Sequence, residues 1–297
     1  MKTHKGRILE KVEKKNIIDC IYCGFIHVHP LPPKEEVSRL YQSSYYSNEK
    51  PLYIKRNIED EKWWQSVFKD RLQTIDEFRK TDGKRLLEFG SGPGLFLKYA
   101  KKDGWDVIGV EASQIAAEFS KKKGLRIIET LFEDLDTRSL GLFDCVALFE
   151  VLEHVAFAKE TLVTANKLLK TGGVICLSIP NEYNPLQNVV RQANKIKTYW
   201  LVPKIHINYF TIDSISRLLE KCGFKVVYME ATFPMELFIL MGDNYLGNDK
   251  LGRLVHGRRK RFDILLSKYN NQLKRNFYRS LTELGIGRSI TMYARKI

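Results

Sequence analysis

An α/β fold built on a twisted, mostly parallel sheet is the class this sequence predicts, and three observations predict it. From residue 84 onward, short apolar runs of strand character alternate with amphipathic stretches of helix period. The run "LLEFGSGPGLFLKYA", Leu86–Ala100, ends an apolar strand in an acid, turns on three glycines and starts a helix. The run "LFDCVALFE" is apolar on both faces, as a central parallel strand must be when helices cover the sheet on each side.

In order, "KRLLEFG" reads as a strand and "GLFLKYAKKDG" as a helix closed by Gly104. "DVIGVEAS" is a strand, and "SQIAAEFSKKKG" a helix with Ser113 as N-cap and Gly124 after its end. "LRIIE" is a short strand and "LFDCVALFE" the central one. "AKETLVTANKLLKTGG" is a helix, "VICLSIP" a strand, "TIDSISRLLEKCG" a helix with Thr211 as N-cap, and "FKVVYMEAT" a strand. "RSITMYARKI" alternates like a strand and is separated from "FKVVYMEAT" by an insertion. Within the insertion Phe262, Leu266, Tyr269, Leu273, Phe277, Leu281 and Leu284 repeat every three or four residues, which predicts one helix from Phe262 to Leu284.

Residues 1–80 read as an N-terminal extension and 81–297 as the main domain, with a basic helical insertion at about 235–285. The extension holds "DCIYCGFIHVHPLPP", a tyrosine-rich stretch "YQSSYYSNEKPLY" and a helix over "EDEKWWQSVFKDRLQTIDEFRK". Trp64, Val67, Phe68, Leu72, Ile75 and Phe78 give that helix one apolar face. No apolar stretch reaches the roughly 18 residues that span a bilayer, and the charged start lacks the apolar core of a signal peptide. The five cysteines do not suggest a disulfide framework, so a reducing cytoplasm is expected. The formal charge of +14 is uneven: residues 250–297 carry 13 Lys/Arg and 2 Asp/Glu, a net +11, whereas 81–230 carry 20 and 18, a net +2. The basic character therefore says little about the chemistry of the middle of the chain.

The turn Gly90-Ser91-Gly92-Pro93-Gly94 departs from a dinucleotide fingerprint, which needs a third glycine where Leu95 stands, and it lacks the Gly-Lys-Ser/Thr of a phosphate loop. Glu88, two residues before the first glycine, repels a pyrophosphate and favours an ammonium or sulfonium group. S-adenosyl-L-methionine carries both and has no phosphate. Its methionine part can lie across glycines, where a missing Cβ permits close backbone approach. Glu111 ends the next strand, 21 residues after Gly90, where a carboxylate can accept two hydrogen bonds from a ribose diol.

The successive segments "LLEFGSGPGLF", "VIGVEAS", "LFEDL", "FDCVALFEVLEHV", "LLKTGGVICLSIPN" and "LLEKCGF", over residues 84–232, resemble the motifs of class I S-adenosylmethionine-dependent methyltransferases. The resemblance is nearest to small-molecule enzymes of the ubiquinone-biosynthesis O-methyltransferase and deoxysugar C-methyltransferase kind. It implies a Rossmann-like seven-stranded sheet with helices on both faces and an antiparallel last strand, which gives "RSITMYARKI" a place. It also implies that Glu88, Gly90, Ser91, Gly92 and Gly94 hold the methionine part, Glu111 the ribose, Leu131 and Phe132 the adenine, and Phe149 and Glu150 the methionine side, with Ala112 also among the cofactor-binding residues.

Methyl transfer to a hydroxyl or acidic C–H requires alignment, exclusion of water and removal of a proton. "FEVLEHV" follows the central strand, at the carboxyl end of the sheet where ligands bind, so His154 is the first candidate base, with a packing role as its alternative. His206 in "KIHINYF" is the second catalytic candidate, and Tyr209 beside it could orient substrate. Asn181 either binds substrate or turns the chain, and Tyr45 and Tyr46 either close over the cofactor or pack the extension. Cys20 and Cys23 look like half of a zinc ribbon whose first pair is absent; with His27 and His29 cramped on one strand face, a metal-free remnant is the better reading. The function expected is methyl transfer to a small hydroxylated or carbonyl metabolite, with an anionic substrate such as a nucleotide-linked sugar as one candidate. An RNA methyltransferase is the alternative, motivated by "HGRRKRF", and a non-catalytic interaction protein on the same fold is the third reading.

Overall fold

Strand order follows from which segments can be buried on both faces. The computed structural model describes residues 4–297; the first three residues of the expected extension lie outside them. The strands are β1 (Gly6–Val12), β2 (Lys15–Cys20), β3 (Phe25–His29), β4 (Arg85–Phe89), β5 (Asp106–Glu111), β6 (Arg126–Glu129), β7 (Phe143–Phe149), β8 (Leu169–Pro180), β9 (Asn208–Tyr209), β10 (Phe224–Ala231) and β11 (Ser289–Lys296). They form two sheets and the chain divides into two units.

One unit comprises Pro30–Ser178, Ser216–Tyr228 and Met292–Ile297. Its sheet runs β10-β11-β8-β7-β4-β5-β6. The pairs β4–β5, β4–β7, β5–β6 and β7–β8 are parallel. The late strand β11 lies between β10 and β8, and it is antiparallel to β10. Ile297 donates its N–H to the Gly223 carbonyl at one end, and Thr232 donates to the Ser289 carbonyl at the other. The seven-stranded, mostly parallel sheet with one reversed strand is therefore the architecture that the motif order implied. The helix Glu61–Phe78 buries Phe68, Leu72 and Ile75 and packs Trp64, Val67 and Phe78 against the same core, which includes Leu86, Phe96, Leu97, Trp105 and Cys145.

The other unit comprises Met1–His29, Ile179–Ile215 and Met229–Thr291. Its sheet runs β1-β2-β3-β9, with antiparallel pairs throughout. Ile17, Val28 and Tyr209 form its small core.

The insertion differs from the single helix expected. A helix spans Asp249–Tyr269 and a second spans Asn271–Glu283. Asn270 leaves the helical region (φ −158°, ψ 80°), and its side chain caps the second helix by accepting the Leu273 N–H at 2.9 Å. The break re-phases the apolar stripe. Leu281 is buried, whereas Tyr269, Leu273 and Leu284 are exposed. Val255, Arg259 and Asp263 form the buried line of the first helix instead. No helix among the described residues is long and apolar enough to cross a membrane.

Candidate functional site

The three glycines expected to shape the loop after β4 all adopt positive φ: +62° at Gly90, +51° at Gly92 and +69° at Gly94. Only glycine enters that region without strain. Space is also closed around them. A Cβ at Gly90 would lie 2.7 Å from Val151 Cγ2, and one at Gly92 would lie 3.0 Å from Tyr46 Oη. Ser91 is buried because Gly109 on β5 makes room: a Cβ there would meet Ser91 Oγ at 2.6 Å.

Glu111, at the end of β5, anchors this loop. Its Oε2 accepts the Gly92 N–H at 2.7 Å and its Oε1 accepts the Ser113 N–H at 2.8 Å. Burial pushes its pKa up, and the backbone donors of Ser113, Gly92 and Ala112 pull it back. Each carboxylate oxygen has a further acceptor position, so the diol contact expected from the sequence remains open to it. Ser113 begins the next helix as expected, yet its side chain makes no capping bond; the Glu111 carboxylate takes its N–H instead.

Glu88 is 4% exposed, and its Oε2 has no hydrogen-bond partner. Burial raises its pKa well above the ordinary carboxylate value, with Arg71 opposing the shift and Glu111 adding to it. An unsatisfied buried carboxyl beside a glycine cradle is the feature that fits a cationic ligand group. Arg71 was not anticipated. It lies on the buried face of the helix Glu61–Phe78, with its guanidinium 4.1 Å from the centre of the Phe149 ring. Its sequence signal was an arginine four residues before Ile75, inside the apolar stripe.

The remaining residues expected to hold the cofactor lie in the same unit. Leu131 is buried, and Phe132 stands edge-on to Phe89 at 4.5 Å. Phe149 ends β7 and packs on Phe96 at 4.9 Å. Glu150 holds a positive φ of +56°, unusual for a residue with a Cβ, and is fixed by bonds with Ser178: its N–H donates to the Ser178 carbonyl at 2.8 Å, and its Oε1 accepts the hydroxyl at 3.1 Å.

His154 closes the turn that starts at Val151, its N–H donating to the Val151 carbonyl. Its ring lies 5.4 Å from Tyr41 and 6.3 Å from Tyr45, and its Nε2 lies 3.9 Å from Glu153 Oε1. The tyrosine-rich stretch is a π-helical segment, Leu40–Glu49, leading to Tyr53. Tyr45 therefore faces the histidine and Tyr46 faces the glycine loop; the ring of Tyr53 continues the group, 5.7 Å from Tyr46. His206 belongs to the other unit, where its Nδ1 lies 3.1 Å from Glu182 Oε1. Tyr209 is buried in the core of that unit, with its ring 6.4 Å from that of His206. Asn181 turns the chain there: its side-chain amide donates to the Gly285 and Gly287 carbonyls, and its own carbonyl accepts from Asn184.

A family model described as a methyltransferase domain matches residues 62–229. The chain belongs to this methyltransferase family, of the class I S-adenosylmethionine-dependent type. Among curated proteins it is 32% identical over 131 residues to the ubiquinone biosynthesis O-methyltransferase of Caulobacter sp. (strain K31), covering 42% of this chain and 52% of that protein. It is 27% identical over 158 residues to C-methyltransferase NovU of Streptomyces niveus, covering 52% of this chain and 36% of that one. The chain thus spans about half the length or less of these relatives. Among solved structures, the plantazolicin methyltransferase BpumL in complex with SAH has a TM-score of 0.53 at 14% identity, covering 88% of this chain and 95% of that one. This likeness is one of fold.

Proposed function

We propose that the protein transfers a methyl group from S-adenosyl-L-methionine to a small hydroxylated or carbonyl metabolite, with a nucleotide-linked sugar as a candidate acceptor. The observation that carries the reading is the buried, unsatisfied Glu88 next to a positive-φ glycine loop tied to Glu111. S-adenosylmethionine, when bound, supplies an electrophilic methyl on a positive sulfur. Glu88 and the loop Gly90–Gly94 receive its methionine part, with Phe149 and Glu150 beside it. Glu111 and Ala112 receive the ribose, and Leu131 and Phe132 the adenine.

In this reading His154 accepts the proton that leaves the acceptor hydroxyl. Glu153, 3.9 Å from its Nε2, stabilises the imidazolium that forms. Tyr41 and Tyr45 exclude water from that side of the imidazole. His206, whose Nδ1 lies 3.1 Å from Glu182 Oε1, is the second catalytic candidate. Residues 81–297 form the catalytic domain, 1–80 the extension and about 235–285 the basic insertion, in a reducing cytoplasm. The names of the curated relatives, an O- and a C-methyltransferase, support hydroxyl or acidic carbon as the accepting atom.

The test is incubation with methyl-labelled cofactor and fractionated cell extract, following the label by mass, with and without ribonuclease. Label in a small metabolite that survives ribonuclease supports the proposal. Label lost to ribonuclease selects the RNA reading, and cofactor binding with no label in any fraction selects the interaction-protein reading.

A further inference from the structure

The β2–β3 hairpin carries a cluster of soft ligands that the methyl-transfer site does not use. Cys20 ends β2, Gly24 turns the chain at a φ of +77°, and His27 lies in the middle of β3. The pairing register puts Gly6 of β1 opposite Cys20, and a Cβ at Gly6 would collide with the Asp19 carbonyl oxygen at 1.9 Å. That tight approach, with the Ile21 N–H donating to the Lys5 carbonyl, brings His4 onto the hairpin turn. His4 is the partner that sequence spacing alone could not assign.

The side-chain atoms converge on one point. His4 Nδ1 lies 3.2 Å from His27 Nε2, 3.4 Å from Cys23 Sγ and 3.8 Å from Cys20 Sγ. One ligand atom from each of the four residues falls within 4.8 Å of all the others. A single ring nitrogen has one proton or one lone pair, so it cannot satisfy three such partners by hydrogen bonding. A central cation can. With Zn–S of about 2.3 Å and Zn–N of about 2.0–2.1 Å, the edges of a tetrahedron come to about 3.3 Å between nitrogens and 3.6 Å between nitrogen and sulfur. The observed separations straddle those values.

The surroundings are arranged for the same purpose. His27 Nδ1 donates to the Val28 carbonyl at 2.7 Å, which leaves the lone pair on Nε2, the atom facing His4. The Cys23 N–H points at Cys20 Sγ at 3.5 Å, as a donor to a thiolate does. No cysteine among the described residues is in a disulfide.

We propose that His4, Cys20, Cys23 and His27 bind a structural zinc ion. Two thiolates and two imidazoles fill a tetrahedral shell and leave no open position, so the role is structural rather than catalytic. The two thiolates neutralise the ion's charge. Binding clamps the segment before β1 to the β2–β3 turn. β3 in turn pairs with β9 through Ile26–Tyr209 and His27–Asn208, so the ion also braces the stretch that follows His206.

The full chain, purified without chelator and with zinc in the medium, should carry about one zinc by plasma mass spectrometry. Exchange into cobalt(II) should give intense visible d–d bands and a near-ultraviolet thiolate charge-transfer band, the signature of tetrahedral nitrogen–sulfur ligation. Cys23→Ser and His4→Gln should each weaken zinc binding by roughly 100-fold or more, beyond the loss expected from an outer-shell change. His4 is only half-buried and stands before β1, so His4→Gln keeps the test decisive if a cysteine variant fails to fold. The proposal is overturned if the wild-type chain retains no zinc while Cys20 and Cys23 react at once with a thiol reagent. It is equally overturned if both variants fold and keep wild-type metal content and cobalt spectrum. Neither readout depends on methyl transfer, so failure here is separable from failure of the proposed activity.

Discussion

Glu88→Gln should make the protein more stable and its cofactor binding weaker, and both effects should depend on pH. The carboxyl is 4% exposed, with Oε2 unpartnered, and burial holds its folded-state pKa well above the ordinary value against the pull of Arg71. An acid of this kind binds its proton more tightly in the folded than in the unfolded chain. Its stabilising contribution is complete below about pH 4.3, the unfolded value, and is lost as pH rises through the folded pKa. Each unit between the two values is worth about 1.4 kcal/mol. Glutamine has the same shape and no titration. At about pH 8 the variant should therefore exceed wild type by on the order of 1–3 kcal/mol, the cost of an unsatisfied buried polar group, and the gap should close towards about pH 4. Urea unfolding followed by circular dichroism across that range reads the stability. Calorimetry at about pH 8 should give S-adenosylmethionine affinity about 10–100-fold weaker, since the variant would lose the proposed charge-assisted hydrogen bond to the ligand's ammonium. S-adenosylhomocysteine, which keeps the ammonium, should lose a similar factor. A stability difference that is constant with pH, or an unchanged affinity, would refute the reasoning.

Glu111→Ala removes the acceptor of the Gly92 and Ser113 N–H groups as well as the proposed diol contact, and should cost on the order of 2–4 kcal/mol of cofactor affinity by calorimetry. Glu111→Gln, which keeps one acceptor oxygen, should lose less. His154→Ala should lower turnover by about 10²–10⁴-fold with cofactor affinity nearly unchanged; near-native turnover would move the base elsewhere, with His206 next to test. Gly94→Ala places a Cβ 2.4 Å from Leu125 Cδ1 and 2.8 Å from Ser120 Oγ at a φ of +69°, and should lower the unfolding free energy by roughly 1–3 kcal/mol in urea. Charge reversal at the exposed Arg258 and Arg261 should raise the Michaelis constant for an anionic acceptor and flatten its salt dependence. Stability should move by less than about 1 kcal/mol, because the Arg258–Asp243 pair is a surface one.

What the sequence disclosed was local, and what it hid was long-range. The strand–acid–glycine–helix order after Arg85 could be read because every part of it is contiguous, and the three glycines all take positive φ in the structure. The second role of Glu111, as anchor of Gly92, could not be read, because it depends on β5 lying in parallel register beside β4. Periodicity misled in the insertion for a related reason. A repeat of three or four continues unbroken through Asn270, yet the cap that Asn270 offers Leu273 ends one helix and starts another, so residues on one expected stripe point in different directions. Arg259, within the basic run "HGRRKRF", is 7% exposed and lies on the buried line with Asp263.

The cysteine pair is the sharpest case of this difference between spacing and register. Counted along the chain, Cys20 and Cys23 have only His27 and His29 near them, and those two histidines share one face of β3 two residues apart, a spacing too cramped for both to close one shell with the pair. The β1–β2 register supplies the missing ligand instead: Gly6 pairs with Cys20, and the chain two residues earlier presents His4 to the turn. A ligand set of this kind becomes visible only when an antiparallel neighbour is placed, because that placement converts a separation of 16 residues between His4 and Cys20 into a sulfur–nitrogen distance of 3.8 Å. The two sites differ in how a substitution should act. In the proposed function Glu88 and Glu111 hold a cofactor that comes and goes, so changes there should appear first in affinity. At His4 and Cys23 the groups close a shell around an ion that stays, so changes there should appear first in the folding of β1–β3 and only then in anything the rest of the chain does.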